Sequence, residues 1–121
     1  MELKRYRLKT EYYDKVVIPY VRRYMVNDVL AIELVEDETY ESFSVITVNI
    51  PNTISTGNAS FVDTNNCPWA EKFIKENNLG CKTGIYGYSG MCSYPEYEFD
   101  ISKLNEMEWR NWLIILMKKR Y

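Results

Sequence analysis

Two β-rich runs separated by a short acidic turn constrain this chain more than any other feature. Val29-Leu30-Ala31-Ile32-Glu33-Leu34-Val35 is entered through the turn-prone pair Asn27-Asp28 and left through Asp37-Glu38. Phe43-Ser44-Val45-Ile46-Thr47-Val48-Asn49-Ile50 comes next, with large apolar and small polar residues alternating over part of its length. That period belongs to a strand with one buried face. Two strands joined by so short a loop are expected to pair antiparallel. Val16–Val21 is a third β-rich run, and its Pro19, which lacks an amide donor, suits an edge strand. Residues 52–60 are rich in Asn, Thr, Ser and Gly and read as a loop, after which Phe61-Val62 returns as a short strand. Met91–Phe99 alternates again, with Pro95 marking an edge or a bulge.

The stretch FVDTNNCPWAEKFIKENNLG, residues 61–80, reads as a helix with its front end. Pro68 sits in the first turn, where its missing N–H does no harm. Trp69, Ala70, Phe73 and Ile74 share one face, and Glu71–Lys75 and Lys72–Glu76 are i,i+4 pairs on the other. Asp63, Asn65 and Asn66 are expected to cap the free N–H groups, and Gly80 to end the helix in a left-handed conformation. A calcium loop is a poor match, because Cys67 stands where a third oxygen ligand belongs and no Gly or Glu stands at the right offset after it. A second helix is expected at about 103–118, capped by Asp100 or Ser102, with Trp109, Trp112, Leu113 and Leu116 as its stripe. Trp112–Met117 also fits a strand, since short apolar runs are ambiguous. The expected fold class is therefore α+β: a single domain over residues 1–121, a mostly antiparallel sheet of four to five strands, and two helices at about 67–78 and 103–118.

No run is apolar over the roughly 20 residues a membrane helix needs, and no apolar segment comes after the basic N-terminus, so neither a span nor a signal peptide is expected. The three cysteines, Cys67, Cys81 and Cys92, have no close pair and read as free thiols of a cytoplasmic protein. The chain has no histidine. Most hydrolase bases and most zinc or non-haem iron sites use imidazole. The expectation is accordingly a protein without enzymatic activity, with no catalytic residue, no metal and no cofactor. Cys67 at a helix start would have a lowered pKa, yet it has no imidazole base to work with.

Charge is divided along the chain. Residues 1–25 carry seven basic and three acidic side chains, whereas residues 26–66 carry seven acids and no Lys or Arg. Glu36, Asp37, Glu38 and Glu41 gather around the acidic turn as a candidate partner-binding patch, suited to a basic protein surface. Thr83-Gly84-Ile85-Tyr86-Gly87-Tyr88-Ser89-Gly90 reads as a flexible loop displaying Tyr86 and Tyr88, a second candidate contact. Its glycines have neither the lysine of a P-loop nor a dinucleotide spacing. The alternative is nucleic-acid binding through Lys4, Arg5, Arg7, Lys9, Arg22 and Arg23, with Tyr6, Tyr12 and Tyr13 interleaved for stacking. The Trp109–Met117 surface also suits a homodimer contact.

The runs LAIELVEDETYESFSVITVNI, FVDTNNCPWAEKFIKENNLG and TGIYGYSGMCSYPEYEF together resemble a family of small bacterial proteins classed as a domain of unknown function. The resemblance covers residues 29–99, with Phe61-Val62-Asp63-Thr64-Asn65-Asn66 and Tyr94-Pro95-x-Tyr97-x-Phe99 as its most specific elements. It implies carriage by conjugative elements and phages of gut-type bacteria, and offers no catalytic residues to carry over. By analogy with other small mobile-element proteins, it implies an accessory protein, cytoplasmic in its bacterial host, that binds a host protein. A defence nuclease inhibited in the anti-CRISPR or anti-restriction manner is the partner such analogy favours.

Overall fold

A computed structural model describes residues 2–51, 53 and 55–106. Ile46 is the corner of the architecture. Its N–H donates to Ile32 O at 3.0 Å, while its carbonyl accepts from Asp63 N at 2.8 Å. One residue thus joins two separate sheets, and the run 43–50 expected as one strand is two: β4 (Ser42–Val45) and β5 (Thr47–Val48).

The first sheet contains β1 (Tyr6–Lys9), β2 (Asp14–Arg23), β3 (Leu30–Glu36) and β4 in that order, antiparallel throughout. A further strand, β9 (Asn105–Glu106), adds to β2 in parallel opposite Tyr20 and Val21. The second sheet runs β5, β6 (Ala59–Val62), β8 (Cys92–Phe99), β7 (Gly80–Ser89), again antiparallel. Between the sheets lies α1 (Ala70–Glu76), whose Ala70, Phe73 and Ile74 are buried as its sequence period requires. The core joins Val17, Leu30, Ile32 and Leu34 of the first sheet to Phe73 and Ile74 of α1 and Tyr97 and Phe99 of the second. Ser60 ties the sheets by donating its hydroxyl to Leu30 O at 2.7 Å.

The expectation of an α+β fold, one sheet packed with two helices, is corrected: among the described residues there are two sheets and a single short α-helix. The helix expected at 67–78 is shortened to 70–76, because Cys67 N bonds Asp63 O at 2.8 Å and the chain turns there instead. The helix expected at 103–118 does not begin where the period placed it. Ile101–Lys103 is a single 3-10 turn, capped by Asp100 through Ser102 N, and Asn105 then enters the first sheet. Asn105 bonds the Pro19 carbonyl and both backbone groups of Lys4, contacts that a helical residue would forfeit. Residues 107–118 of that expected helix lie outside the described residues.

Three local readings change as well. The caps assigned to Asp63, Asn65 and Asn66 are not used by α1, which has no side-chain cap. Asp63 instead closes its own turn, accepting from Asn66 N at 3.2 Å and Asn66 Nδ2 at 2.8 Å. Asn78, at φ +53°, supplies the left-handed residue after α1 rather than Gly80. Gly80 is needed for a different reason, since a Cβ there would stand 2.7 Å from Glu98 O. Pro19 is not on an edge: β2 pairs with β3 along its length, and on its other side β1 reaches Val17 and β9 starts at Tyr20. Pro19 falls in the gap between those two partners, where its carbonyl meets the Asn105 side chain and no ladder amide is needed. Pro95 lies in the interior strand β8, beside the irregularity between Lys82 and Tyr86 of β7, which is the bulge its ring suggested.

Candidate functional site

Two of the four acids of the candidate patch are paired. Antiparallel pairing of β2 with β3 brings Lys15 Nζ to 2.6 Å from Glu36 Oε1, and the Thr39 hydroxyl donates to the other oxygen at 3.3 Å. The Lys15 ammonium holds the Glu36 carboxyl below its ordinary range. Arg5 Nε donates to Asp37 Oδ1 at 2.6 Å, and this carboxylate raises the guanidinium pKa. Glu38 and Glu41 are exposed and have no ion pair among the described residues. Four acids in sequence are thus two in electrostatic effect.

The basic candidates are engaged in the same way. Arg5 pairs with Asp37, Arg7 grips Asp14 with two bonds of 2.9 Å, and Arg22 pairs with Glu33 at 2.9 Å. Lys4 donates to Leu104 O at 3.3 Å and Arg23 to Gly57 O at 2.7 Å. Only Lys9 of the six has neither an ion pair nor a side-chain hydrogen bond among the described residues. Tyr6 is drawn inward, donating to Lys103 O at 2.6 Å, and Tyr13 packs edge-on against Phe43 at 5.1 Å. Among the described residues no continuous unpaired basic and aromatic stripe results.

Tyr86 and Tyr88 have a different setting. The glycine-rich stretch expected to be a loop is the outer strand β7, with only β8 beside it among the described residues. Strand alternation turns Gly87 inward, where a Cβ would meet Ile50 Cδ1 at 2.6 Å and Phe61 Cε1 at 2.9 Å. The rings on either side therefore face out. Tyr88 is 71% exposed, Ile85 56% and Tyr86 43%, and Met91 in the adjoining turn is fully exposed. Tyr86 is backed by Lys82, whose Nζ stands 5.2 Å from the ring centroid.

Beside that strand, α1 and β7 enclose an open groove of about 670 Å³, lined by Glu71, Lys72, Lys75, Cys81, Lys82 and Tyr97. Glu71 organises it, accepting from the Tyr97 hydroxyl at 2.7 Å and lying 3.3 Å from Lys82 Nζ. Burial, then the bond to Glu71, push the Tyr97 hydroxyl up to about 12. Contact with Tyr86 and with Glu71 raises Lys82. Glu71 thus turns to β7 rather than pairing with Lys75, while Lys72 and Glu76 do meet, at 3.6 Å. This groove was missed from sequence, because Glu71, Lys82 and Tyr97 share no motif and meet only through the β7–β8 register Lys82↔Tyr97.

Cys67 is buried, its thiol 3.1 Å from the Ser44 hydroxyl, and burial pushes its pKa up. That is the opposite of an activated nucleophile. Among the described residues no group of three or more His, Cys, Asp or Glu side chains is placed to hold a metal ion. No helix among them is long and apolar enough to cross a membrane.

The described residues thus form a mainly β structure of two corner-joined sheets, with the aromatic strand β7 at the edge of the second among them. A family model described as a domain of unknown function, DUF4313, matches residues 20–114, and the chain belongs to that family. No curated protein and no solved structure matches it.

Proposed function

We propose that this chain is a binding protein without enzymatic activity, and that it recognises a partner protein through the outer strand β7 and its turn. The observation that carries this reading is the cluster of Ile85, Tyr86, Tyr88 and Met91, all exposed on one hairpin. Exposed tyrosine and methionine are favoured where one protein meets another. With only β8 beside it among the described residues, β7 also offers backbone groups to a partner. The exposed Glu38 and Glu41 are a secondary contact for a basic partner. The setting implied by the family resemblance makes the protein an accessory of a phage or conjugative element, and its partner a host protein, with a defence nuclease as the target. Direct nucleic-acid binding is the weaker reading, since five of its six basic residues are already engaged.

The test is a pull-down from a bacterial host lysate, with and without nuclease treatment, comparing the natural chain with Tyr86→Ala/Tyr88→Ala. A protein retained after nuclease by the natural chain and lost by the double variant is the expected result. Equal retention by both would remove β7 as the contact. Loss of every partner on nuclease treatment would favour nucleic acid.

A further inference from the structure

The open groove between α1 and β7 carries more positive than negative charge. Lys72 and Lys75, three residues apart on α1, line it from one side, and Lys82 lines it from β7. Among its described lining residues these three ammonium groups stand against one carboxylate, that of Glu71. Glu71 is divided between the Tyr97 hydroxyl at 2.7 Å and Lys82 Nζ at 3.3 Å. Lys72 reaches Glu76 at 3.6 Å, a pairing between exposed groups that a stronger anion displaces at little cost. Tyr97 is buried yet lines the groove, so its ring belongs to the floor. The lysine stems add apolar wall around it.

We propose that this groove binds a small phosphate monoester, with its phosphate among Lys72, Lys75 and Lys82 and its organic part against Tyr97. The volume of about 670 Å³ falls within the roughly 300–1,000 Å³ of small-molecule sites. It leaves room for a sugar or a nucleoside beside the phosphate. Three positive charges against one negative are balanced by a dianion, and a phosphate monoester carries about −1.5 to −2 at neutral pH. The cations are all lysines, point charges that suit the several oxygens of a phosphate. A planar carboxylate is matched better by the fork of an arginine. The site does not rest on the partner contact of β7, since neither Tyr86 nor Tyr88 is needed to hold the phosphate.

The test uses Cys81, an exposed thiol that lines the same groove. Its alkylation by iodoacetamide is followed by peptide mass spectrometry on the purified full chain at constant ionic strength, with AMP or ribose 5-phosphate as the probe. Saturable slowing by a monoester, and none by adenosine or ribose, is the expected result. Slowing by AMP alone assigns a nucleoside monophosphate; slowing by ribose 5-phosphate, with or without AMP, assigns a sugar phosphate. Lys75→Gln should weaken the apparent affinity about tenfold, through loss of one charge-assisted contact. Lys72→Gln repeats the comparison from the same element. Glu71→Gln, which keeps an acceptor for Tyr97, should tighten binding by removing the opposing charge. The proposal is overturned if neither monoester slows Cys81 at millimolar concentration, if adenosine or ribose slows it equally, or if both lysine variants leave the protection unchanged. Protection by an oligonucleotide where both monoesters fail would also overturn it, and would give the groove to nucleic acid.

Discussion

The Tyr97 hydroxyl donates to Glu71 Oε1 at 2.7 Å, fixing the middle of β8 to the first turn of α1. Tyr97→Phe removes that bond and leaves a half-buried carboxylate with Lys82 alone. The expected cost is about 1–2 kcal/mol, as for other bonds to a charged acceptor. Urea unfolding at neutral pH measures it.

The same pair sets an alkaline limit. Tyr97 keeps its proton up to about 12 in the folded chain, against an ordinary value of 10.0. Between those values the unfolded chain releases the proton and the folded chain does not, so stability present below pH 10 falls as pH rises toward 12. The natural chain should lose more stability between these limits than Tyr97→Phe. Parallel slopes in a pH series of denaturation midpoints would refute the assignment.

Lys15 links three groups, standing 2.6 Å from Glu36 Oε1, 4.1 Å from the Phe43 ring centroid and 5.2 Å from that of Tyr13. Lys15→Ala should cost about 1 kcal/mol at neutral pH, given its partial exposure. Glu36 has a depressed pKa, so its share of that stability is present above the ordinary carboxylate range and lost as pH falls through the folded value. The gap between Lys15→Ala and the natural chain should narrow in acid. Thermal melts at neutral and acid pH compare the two.

Much of this was legible where the signal is local. The β-rich run 29–35 and the alternating run 91–99 both hold strands. The apolar period of Ala70, Phe73 and Ile74 likewise found a helix. The features that escaped depend on partners far apart in the chain. Nothing in Val45-Ile46-Thr47 says that one residue will bond two different sheets, as Ile46 does. Pro19 looked like an edge residue because the gap between β1 and β9 is made by residues at opposite ends of the sequence. The glycines of 84–90 suggested a loop, yet Gly87 is there for close packing on Phe61. Candidate charges were found but not their neutralisation, since Lys15–Glu36 and Arg5–Asp37 arise from strand register. Tyr86 and Tyr88, read as displayed by a loop, are exposed, but on a strand.

Gly80→Ala should destabilise strongly for a residue so near the surface. Its new methyl carbon would lie 2.7 Å from Glu98 O, a backbone atom that moves only if the β7–β8 ladder shifts. The expected loss is about 1–3 kcal/mol, the range for overpacking, read from the urea midpoint.

The thiols should divide sharply by accessibility. Cys81 is exposed on β7 and Cys67 is buried against Ser44. Iodoacetamide on the native chain should modify Cys81 first, and Cys67 only when denaturant is added. Peptide mass spectrometry after short labelling decides; modification of Cys67 in native buffer at the rate of Cys81 would contradict the packing around it.

The bonds from Asn105 to Lys4 and Pro19 span nearly the whole sequence, separations of 101 and 86 residues. Contacts so far apart in the chain form late in folding, because a long loop must close before they contribute. Until Asn105 docks, the edge of β2 beside Pro19 stays open to other chains. The interval in which this sheet is vulnerable is therefore set by how soon Asn105 finds Lys4 and Pro19.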